Sequence, residues 1–208
     1  MKNAVAGFDA VVINRPRSRR TPRRSGRLLR LAAIVTLFAG MLLSRSLPGE
    51  ATPATGPHCV ARLGASLPSL RCFNTLSDAI AAATHGRVHL PQGTTGPQIR
   101  DMALNQGAAA SNIYVLSVEW TGSNFSGPSL TWEGSSPCGY YANSSMPSGW
   151  NDTIRSVAQY SGCATTLYWD INFGGPTYPI NVNAQVADLG GFDKNMSSQK
   201  WCPAYPCS

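Results

Sequence analysis

Beyond residue 51 this chain has little charge and almost no histidine. Residues 52–208 carry seven basic and eight acidic side chains, a net −1. Residues 1–51 carry Lys2 and nine arginines against Asp9 and Glu50, a net +8. The formal +7 of the whole chain therefore describes its head, not its body. A near-neutral body has no electrostatic footprint for a phosphate backbone, so nucleic acid is not an expected partner. His58, His85 and His89 are too few and too scattered for a zinc site or for the base of a nucleophile. They read as solvated surface side chains. The chain also lacks a Gly-rich phosphate loop, a Gly-x-Ser-x-Gly turn and a His-Glu-x-x-His helix, so no enzyme is expected.

A membrane-spanning run is missing too. The apolar stretch Leu31–Leu43 has 13 residues, whereas a bilayer span needs about 20. Preceded by arginines, it suits the core of a signal peptide covering residues 1–51. Gly49 and Ala51 supply small residues at the cleavage point, and cleavage after Ala54 is a second option. A retained short anchor is the competing reading. The pairs Arg19-Arg20 and Arg23-Arg24 lack the apolar residue expected soon after a twin-arginine signal. The expected product is secreted, with no stable membrane span after cleavage.

No cysteine precedes position 59, and all six follow the leader: Cys59, Cys72, Cys138, Cys163, Cys202 and Cys207. An even count in an exported chain reads as disulfides. Six cysteines allow 15 connectivities, of which local order favours 59–72, 138–163 and 202–207. A metal cluster would want a Cys-x-x-Cys pair, which is absent.

Residues 52–111 read as a linker followed by a small N-terminal segment. Thr-Pro-Ala-Thr-Gly-Pro at 52–57 is linker in composition. Cys59 to Cys72 suggests a hairpin or loop under a disulfide. Thr75-Leu-Ser-Asp78 resembles a capping box at the start of a helix. Leu76, Ile80 and Ala83 share one helical face, and Gly86 is placed to end the helix. Arg87–Leu90 is a strand candidate stopped by Pro91, and Pro97–Asn105 suits one or two further helical turns. From Asn112 the texture is β, beginning with the β-branched and aromatic run Ile113–Trp120. Short runs then alternate with Gly, Pro, Asn and Ser to the C-terminus, as hairpins and Greek-key connections require.

Within this β region a pattern is written twice. Trp120 is followed by Phe125-Ser126-Gly127-Pro128-Ser129, and Tyr168 by Phe173-Gly174-Gly175-Pro176-Thr177. A second match trails each copy: Gly149-Trp150-Asn151-Asp152 leading to Ser156, and Gly191-Phe192-Asp193-Lys194 leading to Ser198. Small β motifs duplicate in this way because one alone cannot bury its apolar face. Gly127 and Gly175 sit where a hairpin must fold back, a place that favours positive φ. Phe125 and Phe173 would then pack under the hairpins against Trp120 and Tyr168.

This aromatic-x4-aromatic-x-Gly pattern, with its Asn/Asp loop ending in Ser, resembles the βγ-crystallin Greek-key motif. The leader and the 59–90 region are similar to those of secreted actinobacterial proteins bearing such domains. The resemblance implies a mainly β protein, a two-Greek-key sandwich over 112–208 with a small N-terminal disulfide and helix segment. It also implies Ca²⁺ sites built by exchange, each from the acidic loop of one motif and a hydroxyl of the other. Hard cations favour such oxygen donors. On that pattern Asn151 and Asp152 with Ser197 form one Ca²⁺ site. In the second, Asp193 is followed by Lys194 and the hydroxyl is replaced by Arg155, a degraded site. The competing reading gives these loops no metal, only turn-capping side chains. Glu119 and Asp170, at similar places in the two copies, could each lend an oxygen to these loops, but the repeat separates them too far for a paired-carboxylate hydrolase.

The expected role is structural or interaction-based, with one Ca²⁺ per domain and an extracellular protein or cell surface as partner. Two alternatives follow from the same resemblance. Peptidase inhibitors of family I36 share the fold, although no residue in this chain stands out as one that would enter a peptidase pocket. Killer-toxin-like proteins acting at cell surfaces also share it.

Overall fold

The computed structural model describes residues 56–64, 69–100, 104 and 112–207. All lie within one unit, Leu47–Ser208. The signal-peptide reading of residues 1–51 falls outside the described residues. Among the described residues no helix is long and apolar enough to cross a membrane.

The duplicated region folds into eight strands: β3 (Tyr114–Gly122), β4 (Ser126–Gly134), β5 (Tyr141–Asn143), β6 (Ser156–Gln159), β7 (Ala164–Tyr168), β8 (Thr177–Ile180), β9 (Gln185–Val186) and β10 (Ser198–Cys202). Two upstream strands, β1 (His58–Arg62) and β2 (Leu70–Phe73), join them. The strands make two sheets, ordered β2-β1-β4-β3-β6-β9 and β5-β10-β7-β8. Each copy of the motif contributes four strands, and each lends its third to the other's sheet. Thus β5 of the first copy pairs with β10 of the second, and β9 of the second with β6 of the first. Neither copy can complete its sheet alone.

Between the sheets lies an apolar core that includes Leu116, Leu130, Trp132, Ile154, Leu167, Ile180, Met196 and Trp201. The Trp132 and Trp201 rings meet at 5.2 Å, one from each sheet. Burying an aliphatic side chain of this size stabilises by about 1.5–3 kcal/mol. The Trp150 and Phe192 side chains, which precede the two acidic loops, are buried in the same core. They anchor the loops from below.

The outer face of the larger sheet is also covered, which explains why β3 is buried along most of its length, its polar Ser117 and Glu119 included. Its cover is the N-terminal segment, and the sequence leaves open whether that segment packs on the sandwich at all. Strand β1 answers this by pairing in parallel with β4, from His58↔Ser129 to Arg62↔Glu133. Its other edge pairs antiparallel with β2, where Cys59 and Cys72 lie opposite each other and are bridged. Helix α1 (Leu76–Ala83) then buries Leu76, Ala79, Ile80 and Ala83 in a second core with Val60, Val118, Trp120, Phe125 and Tyr160.

The ends of α1 follow from side-chain chemistry. Thr75 Oγ1 accepts from the Asp78 N–H at 3.1 Å, satisfying one of the free amides of the first turn. At the other end His85, not Gly86, is the first residue to turn left-handed, with φ 53°. The His85 N–H reaches the Ala82 carbonyl and the Gly86 N–H the Ala81 carbonyl, a Schellman closure. The strand expected at Arg87–Leu90 does not form. The Val88 N–H donates to Thr84 Oγ1 at 3.2 Å, so this backbone is held to the helix end and not to a sheet. The helical turn expected after Pro97 is α2 (Gly96–Arg100), and its Ile99 joins the outer core.

The three disulfides are those of local order: Cys59–Cys72, Cys138–Cys163 and Cys202–Cys207. Closing the 25-residue separation of the second restrains the unfolded chain, which is worth about 3 kcal/mol in the chain-entropy model.

Candidate metal centre

The two folded hairpins are built alike. Asn124, Phe125 and Gly127 take φ of 54°, 58° and 79°, and Asn172, Phe173 and Gly175 take 57°, 64° and 72°. The glycines were expected to be left-handed. That each Phe is too was not, and a bulky residue accepts that conformation only when held. The holding group is the serine that follows each loop. Ser156 Oγ accepts from the Phe125 N–H at 3.0 Å and donates to the Gly122 carbonyl at 2.7 Å. Ser198 Oγ accepts from the Phe173 N–H at 3.0 Å and donates to the Asp170 carbonyl at 2.6 Å. Each Phe ring then meets its aromatic partner edge-on, Trp120 at 5.3 Å and Tyr168 at 5.5 Å.

Only the covers differ. Phe125 is buried beneath α2, where Gly96 packs so closely on the Phe125 backbone that no Cβ would fit. Phe173 is half-buried, with the Lys200 ammonium 5.0 Å from its ring centre.

From these serines the acidic loops cross to the opposite copy. The Asp152 N–H donates to the Met196 carbonyl at 3.2 Å, and the Lys194 N–H to the Ile154 carbonyl at 2.9 Å. Asp152 and Lys194 hold matching φ of 55° and 56°. Likewise the Arg155 N–H donates to the Trp120 carbonyl and the Ser197 N–H to the Tyr168 carbonyl, at 2.8 and 3.0 Å. The backbones of the two loops are thus equivalent, and only their side chains differ.

Those side chains separate the two sites. In the first, Ser197 Oγ donates to Asp152 Oδ1 at 3.3 Å, and Asn151 Nδ2 to Asp152 Oδ2 at 2.6 Å. A carboxylate and a hydroxyl from different motifs converge there, the Asn and Asp at the surface and the Ser buried beneath them. In the second, Arg155 Nε donates to Asp193 Oδ2 at 2.8 Å. The guanidinium occupies the position that Ser197 has in the first site, and Lys194 stands exposed where Asp152 stands. Among the described residues there is no cluster of three or more His, Cys, Asp or Glu side chains. A cation at the first site would therefore rely on one carboxylate, with hydroxyl, amide and carbonyl oxygens completing its shell.

Paired Greek keys, exchanged third strands and serine-locked hairpins together decide the fold. The C-terminal domain is βγ-crystallin-like. Residues 119–180, less than half of the chain, match the model of peptidase inhibitor family I36. Among solved structures, one on the evolution of the eye-lens βγ-crystallin domain fold is 22% identical, with TM-score 0.37, over 42% of this chain and 84% of that one. A βγ-crystallin domain from Flavobacterium johnsoniae is 25% identical, with TM-score 0.34, over 45% and 99%. Another from Clostridium beijerinckii is 21% identical, with TM-score 0.33, over 43% and 99%. No curated protein matches the chain.

The βγ-crystallin-like frame corrects the reading of Glu119 and Asp170. Aligning Trp120 with Tyr168 places Leu167 opposite Glu119 and Gly122 opposite Asp170, so the two acids are not counterparts. Glu119 lies fully buried on β3, with Ser117 Oγ at 3.5 Å and Trp132 and Gln199 beside it. Burial pushes its carboxyl up to about 7. Enclosed there, it cannot lend an oxygen to the surface loops. Asp170 is exposed at the second hairpin, where its backbone carbonyl serves the Ser198 lock. His85 and His89 are exposed, but His58 is half-buried, with Nδ1 2.9 Å from Ser129 Oγ. Burial lowers its pKa.

Proposed function

We propose that this chain is an extracellular interaction protein whose βγ-crystallin-like domain binds one Ca²⁺ at Asn151, Asp152 and Ser197. The observation that carries the reading is the 3.3 Å approach of Ser197 Oγ to Asp152 Oδ1, across two motifs whose backbones are otherwise equivalent. Three disulfides support an oxidising compartment. The ion would neutralise Asp152 and tie the two loops together, so the folded form gains stability with ligand concentration. Arg155 and Lys194 keep a second ion out by repulsion, and Arg155 neutralises Asp193 in its place. A thermal melt tests this: the midpoint should rise with millimolar CaCl₂ and fall back with chelator. An unchanged midpoint would leave the loops with a turn-capping role only.

A second reading is favoured by a separate observation. The match to peptidase inhibitor family I36 runs from within β3 to the end of β8, including the bridge Cys138–Cys163. On this reading the interaction partner is a peptidase, and the sandwich serves as a rigid support. Disulfide-held loops suit such a task because little ordering entropy is lost on binding. A panel of serine, cysteine and metallopeptidases, assayed with and without Ca²⁺, separates the two readings.

A further inference from the structure

The two copies of the motif end their sheets on equivalent strands, and only one of those edges is occupied. In the larger sheet the outer side of β4 takes β1 in parallel, from His58↔Ser129 to Arg62↔Glu133. In the smaller sheet the corresponding strand is β8, which among the described residues pairs with β7 alone. The register fixes which residues correspond. Thr131 lies opposite Val118, two residues before Trp120, and Pro179 lies opposite Thr166, two residues before Tyr168. Pro179 therefore stands where β4 has Thr131. Pro128 and Pro176 are common to both copies, so this is the one proline that separates the two strands.

Strand parity gives the direction of the peptide groups. Along a strand, alternate residues turn their N–H and C=O toward one neighbour and then the other. The Leu63 N–H donates to the Glu133 carbonyl at 2.8 Å, so Glu133, and with it Thr131 two residues earlier, faces β1. By correspondence the backbone of Pro179 faces away from β7, the side on which a ladder tolerates a residue without an N–H. The free edge of β8 thus lacks its central donor, and the proline ring stands where an incoming carbonyl would dock. Thr177 and Pro179 are exposed, while Ile180 is buried in the inter-sheet core, so the edge is accessible and its strand is anchored.

At β4 an edge of this shape accepts a strand. The chain's own β1 is already held between β2 and β4, so an open β8 edge would meet the same edge of another molecule and pair with it antiparallel about a twofold axis. We propose that Pro179 closes the β8 edge against strand addition by a second copy of this chain, so that of the two equivalent edges only β4 accepts another strand.

The test compares the purified protein with two variants. Pro179→Thr installs the residue of the occupied edge, and Pro179→Ala restores the N–H alone. In sedimentation equilibrium the variants should move with rising concentration toward about twice the native mass. Hydrogen exchange read by NMR should slow at the amides of positions 177 and 179 over the same concentrations, while the native Thr177 amide keeps its rate. Thermal midpoints close to the native value confirm that the variants are folded. Variants that stay monomeric, with both amides exchanging freely, would overturn the proposal. So would association that leaves those two amides unprotected, or a native chain whose Thr177 amide slows as its concentration rises.

Discussion

Arg155 Nε lies 2.8 Å from Asp193 Oδ2, so one protein side chain neutralises the carboxylate in the loop that mirrors the candidate Ca²⁺ site. The backbones of the two loops superpose in kind: Asp152 and Lys194 share their φ and their cross-motif hydrogen bonds. Arg155 and Lys194 stand in the second loop pair where Ser197 and Asp152 stand in the first, so the second carries its own cations.

This relationship can be reversed. The double variant Arg155→Ser, Lys194→Asp restores a carboxylate and a hydroxyl to the second loop. Equilibrium dialysis with ⁴⁵Ca²⁺ should then show one more bound ion per chain than the native protein. Arg155→Ala alone should cost no more than about 1 kcal/mol, read from a urea midpoint, because the pair is only partly buried and solvent screens it.

The serine locks give a second expectation. Ser156→Ala and Ser198→Ala each leave a left-handed Phe N–H and a carbonyl without their shared partner. Each should destabilise the fold by about 1–3 kcal/mol. Ser156→Ala should cost more, since Phe125 is buried beneath α2 while Phe173 is half-buried, and water can replace the lost bond more readily there. Urea unfolding of the two variants checks the order.

Glu119 makes stability depend on pH. Its carboxyl is raised from 4.5 to about 7 by burial. Between those values the folded protein keeps a proton that the unfolded chain has lost. The contribution is therefore complete below about 4.5, declines as pH rises through the window, and is gone above about 7. It amounts to about 3 kcal/mol in total. Glu119→Gln removes this titration, so the difference in stability between native and variant protein should change by that amount between pH 4 and pH 8. A constant difference would mean that Glu119 titrates normally in the folded state.

Much of this architecture is legible in the chain because it is local. The Phe-x-Gly-Pro repeat marks both hairpins, the Thr75 cap marks the helix start, and the order of the cysteines marks the bridges. The pairing of Asn151 and Asp152 with Ser197 is what the βγ-crystallin resemblance implies, and Ser197 Oγ lies 3.3 Å from Asp152 Oδ1. What the chain conceals is non-local. Nothing near Cys59 announces that β1 will pair in parallel with β4, some seventy residues on. The missing strand at Arg87–Leu90 shows the same limit, since Val88 and Leu90 join the outer core while the Val88 N–H is held by Thr84 at the end of α1. Glu119 looked available because an acid in a strand is usually solvated. Its alternation with Ser117 against Val118 and Trp120 reads as a solvated face, and it is the second sheet, through Gln199 and Trp201, that covers that face.

The most direct test of the account is the calorimetric stoichiometry of Ca²⁺ binding to chelator-stripped protein. One ion should bind per chain, with the heat abolished by Asp152→Asn and kept in Asp193→Asn. Two ions per native chain, or one that survives Asp152→Asn, would contradict the assignment of the site, and no heat at millimolar Ca²⁺ would contradict the existence of a site at all.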